Sequence, residues 1–93
     1  MSEYVKVEPE PTDDPDVMEL YVNQTLTSGA EEIYETPDDG EMGSPIAQML
    51  FDGIDGINSL IIREDCLVVT RDPKIPWEDI IDEIRDALRD FFL

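Results

Sequence analysis

The sequence has no histidine, one cysteine and only six basic side chains among its 93 residues. Without histidine, neither a Ser-His-Asp nor a Cys-His nucleophilic arrangement can form. A single cysteine, Cys66, excludes an internal disulfide and a CxxC pair. No activating cation is evident around Cys66, so a small packed thiol is favoured over a reactive or cluster-ligating one.

Long apolar runs are also missing. No segment has the length needed to span a bilayer, and the N-terminus lacks the apolar stretch of a secretory signal. We therefore expect a cytoplasmic protein with no membrane partner.

Acidic residues are abundant instead. Twenty-four Asp and Glu outweigh the six Lys and Arg and give a formal net charge of −18, spread over both halves of the chain. Such a charge repels nucleic-acid phosphate and anionic membrane surfaces, so no nucleic-acid partner is expected. A solvated acidic surface, as in proteins of a salt-rich cytoplasm, is favoured over mimicry of nucleic acid.

The acidic runs do not form a recognisable metal or catalytic motif. Residues 13–16 and 38–41 offer carboxylates but not the spacing of an EF-hand loop. The segment with Gly53 and Gly56 does not contain the lysine of a P-loop. No pair of carboxylates can be identified as a candidate for acid–base catalysis. We predict no catalytic residue, no metal ligand and no cofactor.

Residues 44–70 predict a helix followed by an antiparallel hairpin. Ser44 is a good N-cap, and Pro45 suits the first helical turn, where its missing N–H costs nothing. An apolar stripe follows at the spacing of one helix face: Ile46, Ala47, Met49 and Leu50. Gly53 and Gly56 then allow positive φ on both sides of a sharp turn.

The hairpin predicts a sheet with two unlike faces. With an even number of loop residues, Ile62 pairs with Leu67 and Leu60 with Val69, so these side chains share one face, which we predict to be the core. The other face carries a set of mixed polarity: Ser59, Ile61, Arg63, Cys66, Val68 and Thr70. That face is too apolar for free solvation and too polar for a deep interior, so we expect it to be partly covered or to meet a partner.

Extended segments precede this unit. Residues 4–8 predict a first strand, and the proline-rich residues 8–16 predict a loop or a sheet edge. Residues 17–26 predict a second strand, and residues 30–36 fit either a third strand or one helical turn. Residues 37–43 are predicted to be a loop and the most mobile internal segment.

The C-terminus carries the strongest helical pattern, opened by Pro76 and with acids in its first turn. Its apolar stripe comprises Trp77, Ile80, Ile81, Ile84, Ala87, Leu88, Phe91 and Phe92. We predict this stripe to be core, the alternative being a docking helix for a partner, particularly at residues 91–93. The predicted order is β-β-(β)-α-β-β-α, a single α+β domain over residues 1–93 with a mainly antiparallel sheet and two helices on one face.

An ordered set of short segments carries a family resemblance: SPIA with LF at residues 44–51, IDGINSL at 54–60, DCLVVT at 65–70 and WEDI at 77–80. The set resembles the N-terminal domain of the Nfu/NifU-like iron–sulfur scaffold proteins. Upstream, Thr12 and Pro15 match the first and fourth positions of that family's T-P-N-P-N loop. Asp replaces both asparagines and the intervening proline here.

The resemblance implies an accessory role. In that family the cluster ligands lie in a separate CxxC domain, and this chain stops at Leu93 without such a motif. The resemblance therefore implies a stand-alone, non-enzymatic domain that makes protein–protein contacts during iron–sulfur cluster assembly or client delivery. Its implied partner is a protein, such as a CxxC-containing scaffold or an iron–sulfur client.

The candidate contact surface joins Ile61, Cys66 and Val68 on the hairpin to the loop around Thr12 and Pro15, with ordinary packing of these residues as the alternative. A rival function of another class is an acidic mimic or inhibitor that sequesters a basic DNA-binding protein.

Overall fold

A computed structural model describes residues 5–92, which form a five-stranded sheet and three helices. In chain order the elements are β1 Val7–Pro11, β2 Val17–Val22, β3 Glu32–Tyr34, α1 Pro37–Glu41, α2 Pro45–Gly53, β4 Ile57–Ile62, β5 Cys66–Arg71 and α3 Trp77–Phe91. The strands lie in the order β1-β2-β5-β4-β3, and all four neighbouring pairs are antiparallel. The α+β class and the antiparallel sheet are thus confirmed.

The hairpin of β4 and β5 lies inside the sheet and has the predicted register. Ile62 is opposite Leu67 and Leu60 is opposite Val69. All four side chains are fully buried. β2 extends this buried layer, because its Leu20 lies opposite Leu67 and is also fully buried.

Helices α2 and α3 cover this face of the sheet. The Ser44 hydroxyl accepts a hydrogen bond from the N–H of Ala47 at the start of α2, as the capping pattern predicted. Three α3 side chains are fully buried in the same core: Ile80, Ile84 and Leu88. At the C-terminal end of α3, however, Phe91 is largely exposed, so the prediction that the whole stripe is core was wrong there. None of the helices in residues 5–92 combines the length and the apolar character needed to cross a membrane.

The predicted loop at residues 37–43 is helical over Pro37–Glu41, which corrects the sequence-based prediction. Thr36 caps this short helix by accepting the N–H of Asp39, and Pro37 occupies its first turn. Gly40 faces the Phe51 ring so closely that a Cβ at this position would overlap it. Gly40 therefore serves the packing of α1 against α2.

Strand boundaries also differ from the prediction. The first strand begins at Val7 and runs through both Pro9 and Pro11, while Tyr4, included in the predicted strand, lies outside the described residues. The prolines are tolerated because β1 is an edge strand, where a missing N–H costs no ladder bond. The second strand ends at Val22, short of the predicted residue 26.

The third extended segment resolves as strand β3, one of the two predicted alternatives. Tyr34 of β3 joins it to the helices, because its hydroxyl donates to the Glu32 carboxylate and accepts the N–H of Ser44. Burial raises the pKa of Glu32, but hydrogen bonds from Tyr34, Ser44 and Thr27 together outweigh burial and lower that pKa overall.

The turn between α2 and β4 depends on one glycine. Gly56 has φ +100°, whereas Gly53 is the last residue of α2 and has no positive φ, so the prediction of positive φ on both sides was half right. A Cβ on Gly56 would also lie 2.9 Å from Ile75 Cγ1. Both the backbone conformation and the available space therefore require glycine here.

We expect Gly56→Ala to lower the free energy of unfolding by about 1–3 kcal/mol, because alanine is strained at this φ and crowds Ile75. Gly53→Ala is the matched control, since a Cβ there contacts nothing within 4 Å. Alanine in a helix should leave stability equal or raise it by up to ~1 kcal/mol. Urea denaturation measures both, and equal effects of the two variants would contradict the assigned turn.

Candidate protein-interaction site

The face of the sheet opposite the core helices carries a row of apolar side chains. Ile33 on β3 lies opposite Ile61 on β4, and Ile61 lies opposite Val68 on β5. Alternation along each strand directs these side chains away from the helix-covered core. We call this surface, with its flanking residues Tyr21 and Cys66, the open face.

Several open-face side chains are accessible. Ile33 is 57% exposed and Tyr21 is 42% exposed. Ile61 and Val68 are half-buried. A contiguous apolar strip on an antiparallel sheet, in a chain this acidic, is the kind of surface that marks protein–protein contact.

Acidic side chains continue the same row toward the β1 edge. Val68 lies opposite Glu19 on β2, and Glu19 lies opposite Glu10 on β1. Like charges directly opposite each other on neighbouring strands destabilise a sheet. The ion pairs formed within residues 5–92 involve neither of these glutamates.

These carboxylates raise the pKa of the neighbouring Tyr21. Its hydroxyl lies 3.4 Å from Glu19 Oε1, to which it donates a hydrogen bond. The negative charge of Glu19 raises the pKa of Tyr21, with smaller contributions from Cys66, burial and Glu10. The phenol therefore stays protonated and remains a donor at neutral pH.

The opposite end of the open face has a balanced ion pair. Arg63, in the β4–β5 turn, places its Nε 3.2 Å from Glu31 Oε2. Both side chains are about half exposed, so the pair contributes little to stability. The charge along the open face is consequently uneven, because the carboxylates on the β1–β2 side, Glu10 and Glu19, form none of the ion pairs within residues 5–92.

Cys66 is buried, with only 3% of its surface exposed. It lies directly opposite Tyr21 in the β2–β5 ladder. Burial raises the pKa of its thiol, and Glu19 raises it further, while Arg63 acts in the other direction. These surroundings favour a packed, protonated thiol over a nucleophile or a ligand.

The loop between β1 and β2 is held by the start of α3. Trp77 Nε1 donates to the Pro15 carbonyl at 2.8 Å. Arg71 binds Asp16 through its Nε at 3.2 Å and lies 5.2 Å from the centre of the Trp77 ring. Thr12 is half-buried, with its hydroxyl 2.9 Å from the Val17 carbonyl and accepting the Asp14 N–H, so it supports the loop from within.

The structure thus separates the predicted contact residues into two groups. Ile61 and Val68 are paired on the open face, with Cys66 buried beside them. Thr12 and Pro15 belong to the loop before β2. One row of the sheet, in which Val17 lies opposite Thr70, stands between the two groups.

Sequence reasoning missed two residues of the open face, Ile33 and Tyr21, and the adjoining Glu19. Ile33 was missed because residues 30–36 fitted two structures, and a strand assignment would have put it opposite Ile61. Tyr21 alternates with the buried Leu20 and Val22, but the apolar run LYV hid that alternation.

Within the described part of the chain, no three Cys, Asp or Glu side chains are grouped so as to hold a metal ion. Asp38 and Asp39 lie in the first turn of α1, where they complement the helix dipole.

Comparisons with known proteins give consistent results. The family described as scaffold protein Nfu/NifU N terminal matches residues 7–93. The chain is 31% identical over 78 residues to the uncharacterized protein YpgR of Bacillus subtilis, a match that covers 84% of this chain. It spans only 20% of the length of that relative.

Two solved structures share the fold. The NifU-like protein from Saccharomyces cerevisiae superposes with a TM-score of 0.75 at 24% identity, covering 94% of this chain and 77% of that one. Protein SAV1430 from Staphylococcus aureus superposes with a TM-score of 0.70 at 13% identity, covering 92% and 99%.

We expect the Cys66 thiol to react with a disulfide reagent such as DTNB at least roughly tenfold more slowly at pH 8 than an exposed thiol, because it is buried and its pKa is raised. The reference is Gly29→Cys in a Cys66→Ser background, since Gly29 is exposed with open space around it. Equal rates for the two folded proteins would show an accessible, reactive Cys66.

Proposed function

The chain belongs to the Nfu/NifU scaffold N-terminal family, and from this premise we propose that it is a non-catalytic protein-interaction domain that assists iron–sulfur cluster assembly or client delivery. The observation that carries the proposal is the open face. Its apolar strip is accessible on a sheet whose other face is fully occupied by helices. We also propose that the protein performs this role in the cytoplasm.

The proposed partner is a CxxC-containing scaffold or an iron–sulfur client. The single cysteine is buried opposite Tyr21, so the proposal assigns cluster ligation to the partner. Ile61 and Val68 supply the apolar contact in this proposal, with the exposed Ile33 beside them. Cys66 supports them from within the sheet.

The loop around Thr12 and Pro15 is proposed as a second contact region. Its backbone is fixed because Trp77 donates to the Pro15 carbonyl and the N–H of Arg71 donates to the Asp16 carbonyl, which supports recognition by a preformed surface. Pro15 is exposed and presents its ring to solvent, whereas Thr12 contributes by holding the loop shape.

A second candidate function is an acidic mimic or inhibitor of a basic DNA-binding protein, which the net charge of −18 favours. A mimic of nucleic acid needs carboxylates where a duplex has phosphates, and the apolar row from Ile33 to Val68 interrupts them. We therefore rank mimicry second.

Affinity capture from native cytosol of the source organism tests the role. At about 0.5 M salt the Debye length is about 4 Å, so contacts that depend on charge alone weaken while apolar contacts persist. We expect the wild-type chain to retain iron–sulfur assembly proteins or clients. The double variant Ile33→Ser, Val68→Ser should lose them.

Met42→Ser is the matched control, because Met42 is 93% exposed and lies outside the open face. This variant should capture the same proteins as the wild type. Recovery of DNA-binding proteins alone, eluting steeply as salt rises, would reject the assembly role and support mimicry.

A further inference from the structure

We propose that the open face receives an amphipathic helix of the partner protein whose apolar stripe is followed, along the same side of the helix, by lysine and arginine. The stripe contacts Ile33, Ile61 and Val68, and the basic residues beyond the stripe contact Glu19 and Glu10, which continue the row. This inference rests on the proposed function only in taking the open face as the contact surface, and it names the chemistry of what binds there.

The spacing of the apolar row suits a helix. Ile33, Ile61 and Val68 come from three neighbouring strands, β3, β4 and β5. Strands lie about 4.8 Å apart, so the row extends about 10 Å. Apolar residues at i and i+7 of a helix are separated by about 10.5 Å along its axis. Two turns of a helix therefore match the length of the row.

The charges at the β1 end of the row specify basic residues at the corresponding end of the helix. Glu10 and Glu19 lie directly opposite each other, a pairing that costs stability in the free domain. Arg63, Arg71, Arg85 and Arg89 form the ion pairs within residues 5–92, and all four are directed to other carboxylates. A cation from a partner is therefore complementary to this pair of glutamates.

Charge also argues against a second copy of this chain as the occupant. In an isologous contact the same patch meets itself, so Glu10 and Glu19 would approach their own copies. The net charge of −18 adds repulsion between whole subunits.

Strand addition is disfavoured by both edges of the sheet. β1 contains Pro9 and Pro11, which have no N–H to donate, and β3 is only three residues long. A helix needs no free edge, because it packs through side chains, as α2 and α3 do on the other face. Helices on both faces of a sheet are a common layered arrangement.

A designed peptide of about five helical turns serves as the probe, with leucines along one face of its first turns and lysines continuing that face through the remaining turns. It is titrated into the isotope-labelled full chain at about 0.15 M salt, where the Debye length is about 8 Å. Two control peptides are used: one has the same composition scrambled to remove the stripe, and the other has glutamate in place of lysine. Amide chemical shifts report the location of binding.

We expect the shifts to concentrate on β3, β4, β5 and the Glu10–Glu19 pair, and both control peptides to bind at least tenfold more weakly. Ile33→Ser should raise the Kd about fivefold, since about half of an exposed isoleucine is buried on binding. The double variant Glu10→Gln, Glu19→Gln should raise it about threefold, and more at low salt. Met42→Ser and Glu78→Gln, both exposed and away from the open face, should change it less than twofold.

Equal binding of the scrambled peptide, shifts on the helical side, or equal effects of the test and control variants would overturn the proposal. Loss of captured assembly proteins with Ile33→Ser, Val68→Ser, combined with no binding of the leucine–lysine peptide, would reject the basic helix and leave the assembly role standing. Site-specific peptide binding without any captured assembly proteins would support the docking site and reject that role.

Discussion

The register of β4 against β5 determines the rest of the structure. Because Ile62 lies opposite Leu67 and Leu60 opposite Val69, every second side chain of the hairpin faces the helices. A slip by one residue would exchange the two faces and bury the polar set. Gly56 helps to set this register, since its positive φ reverses the chain just before β4 begins. A register shift between Ile57 and Ser59 then keeps Ile57 in the core.

The division of polarity explains how so acidic a chain can fold. Among the described residues every buried side chain of the core is apolar, and no polar or charged residue is buried. The carboxylates therefore remain hydrated, where salt screens their repulsion. The open face departs from this division, because the apolar side chain of Ile33 is exposed there. This local departure, in an otherwise ordinary domain, supports the assignment of the contact surface.

The sequence predicted those features of the fold that have a regular period or a local capping signal. The Ser44 cap and the α3 stripe as far as Leu88 were predicted correctly, because helix spacing and capping are local signals. Other features depended on tertiary neighbours. The segment of α1 was predicted to be a loop because the sequence does not show that Gly40 packs against the Phe51 ring. Likewise Ile33 could not be placed until its partner Ile61 was known. The pairing of Ile61 with Val68 followed from the hairpin register, whereas the neighbours of this pair on β2 and β3 depend on the pairing of strands distant in sequence.

The central claim is one-sided burial of the sheet, with one face closed by helices and the other accessible. Methyl NMR in the presence of a neutral, soluble paramagnetic chelate measures this most directly. The methyl signals of Ile33, Ile61 and Val68 should broaden, and those of Leu60, Ile62 and Leu67 should stay sharp. Sharp signals from the first three, or broadening of the second three, would contradict the account.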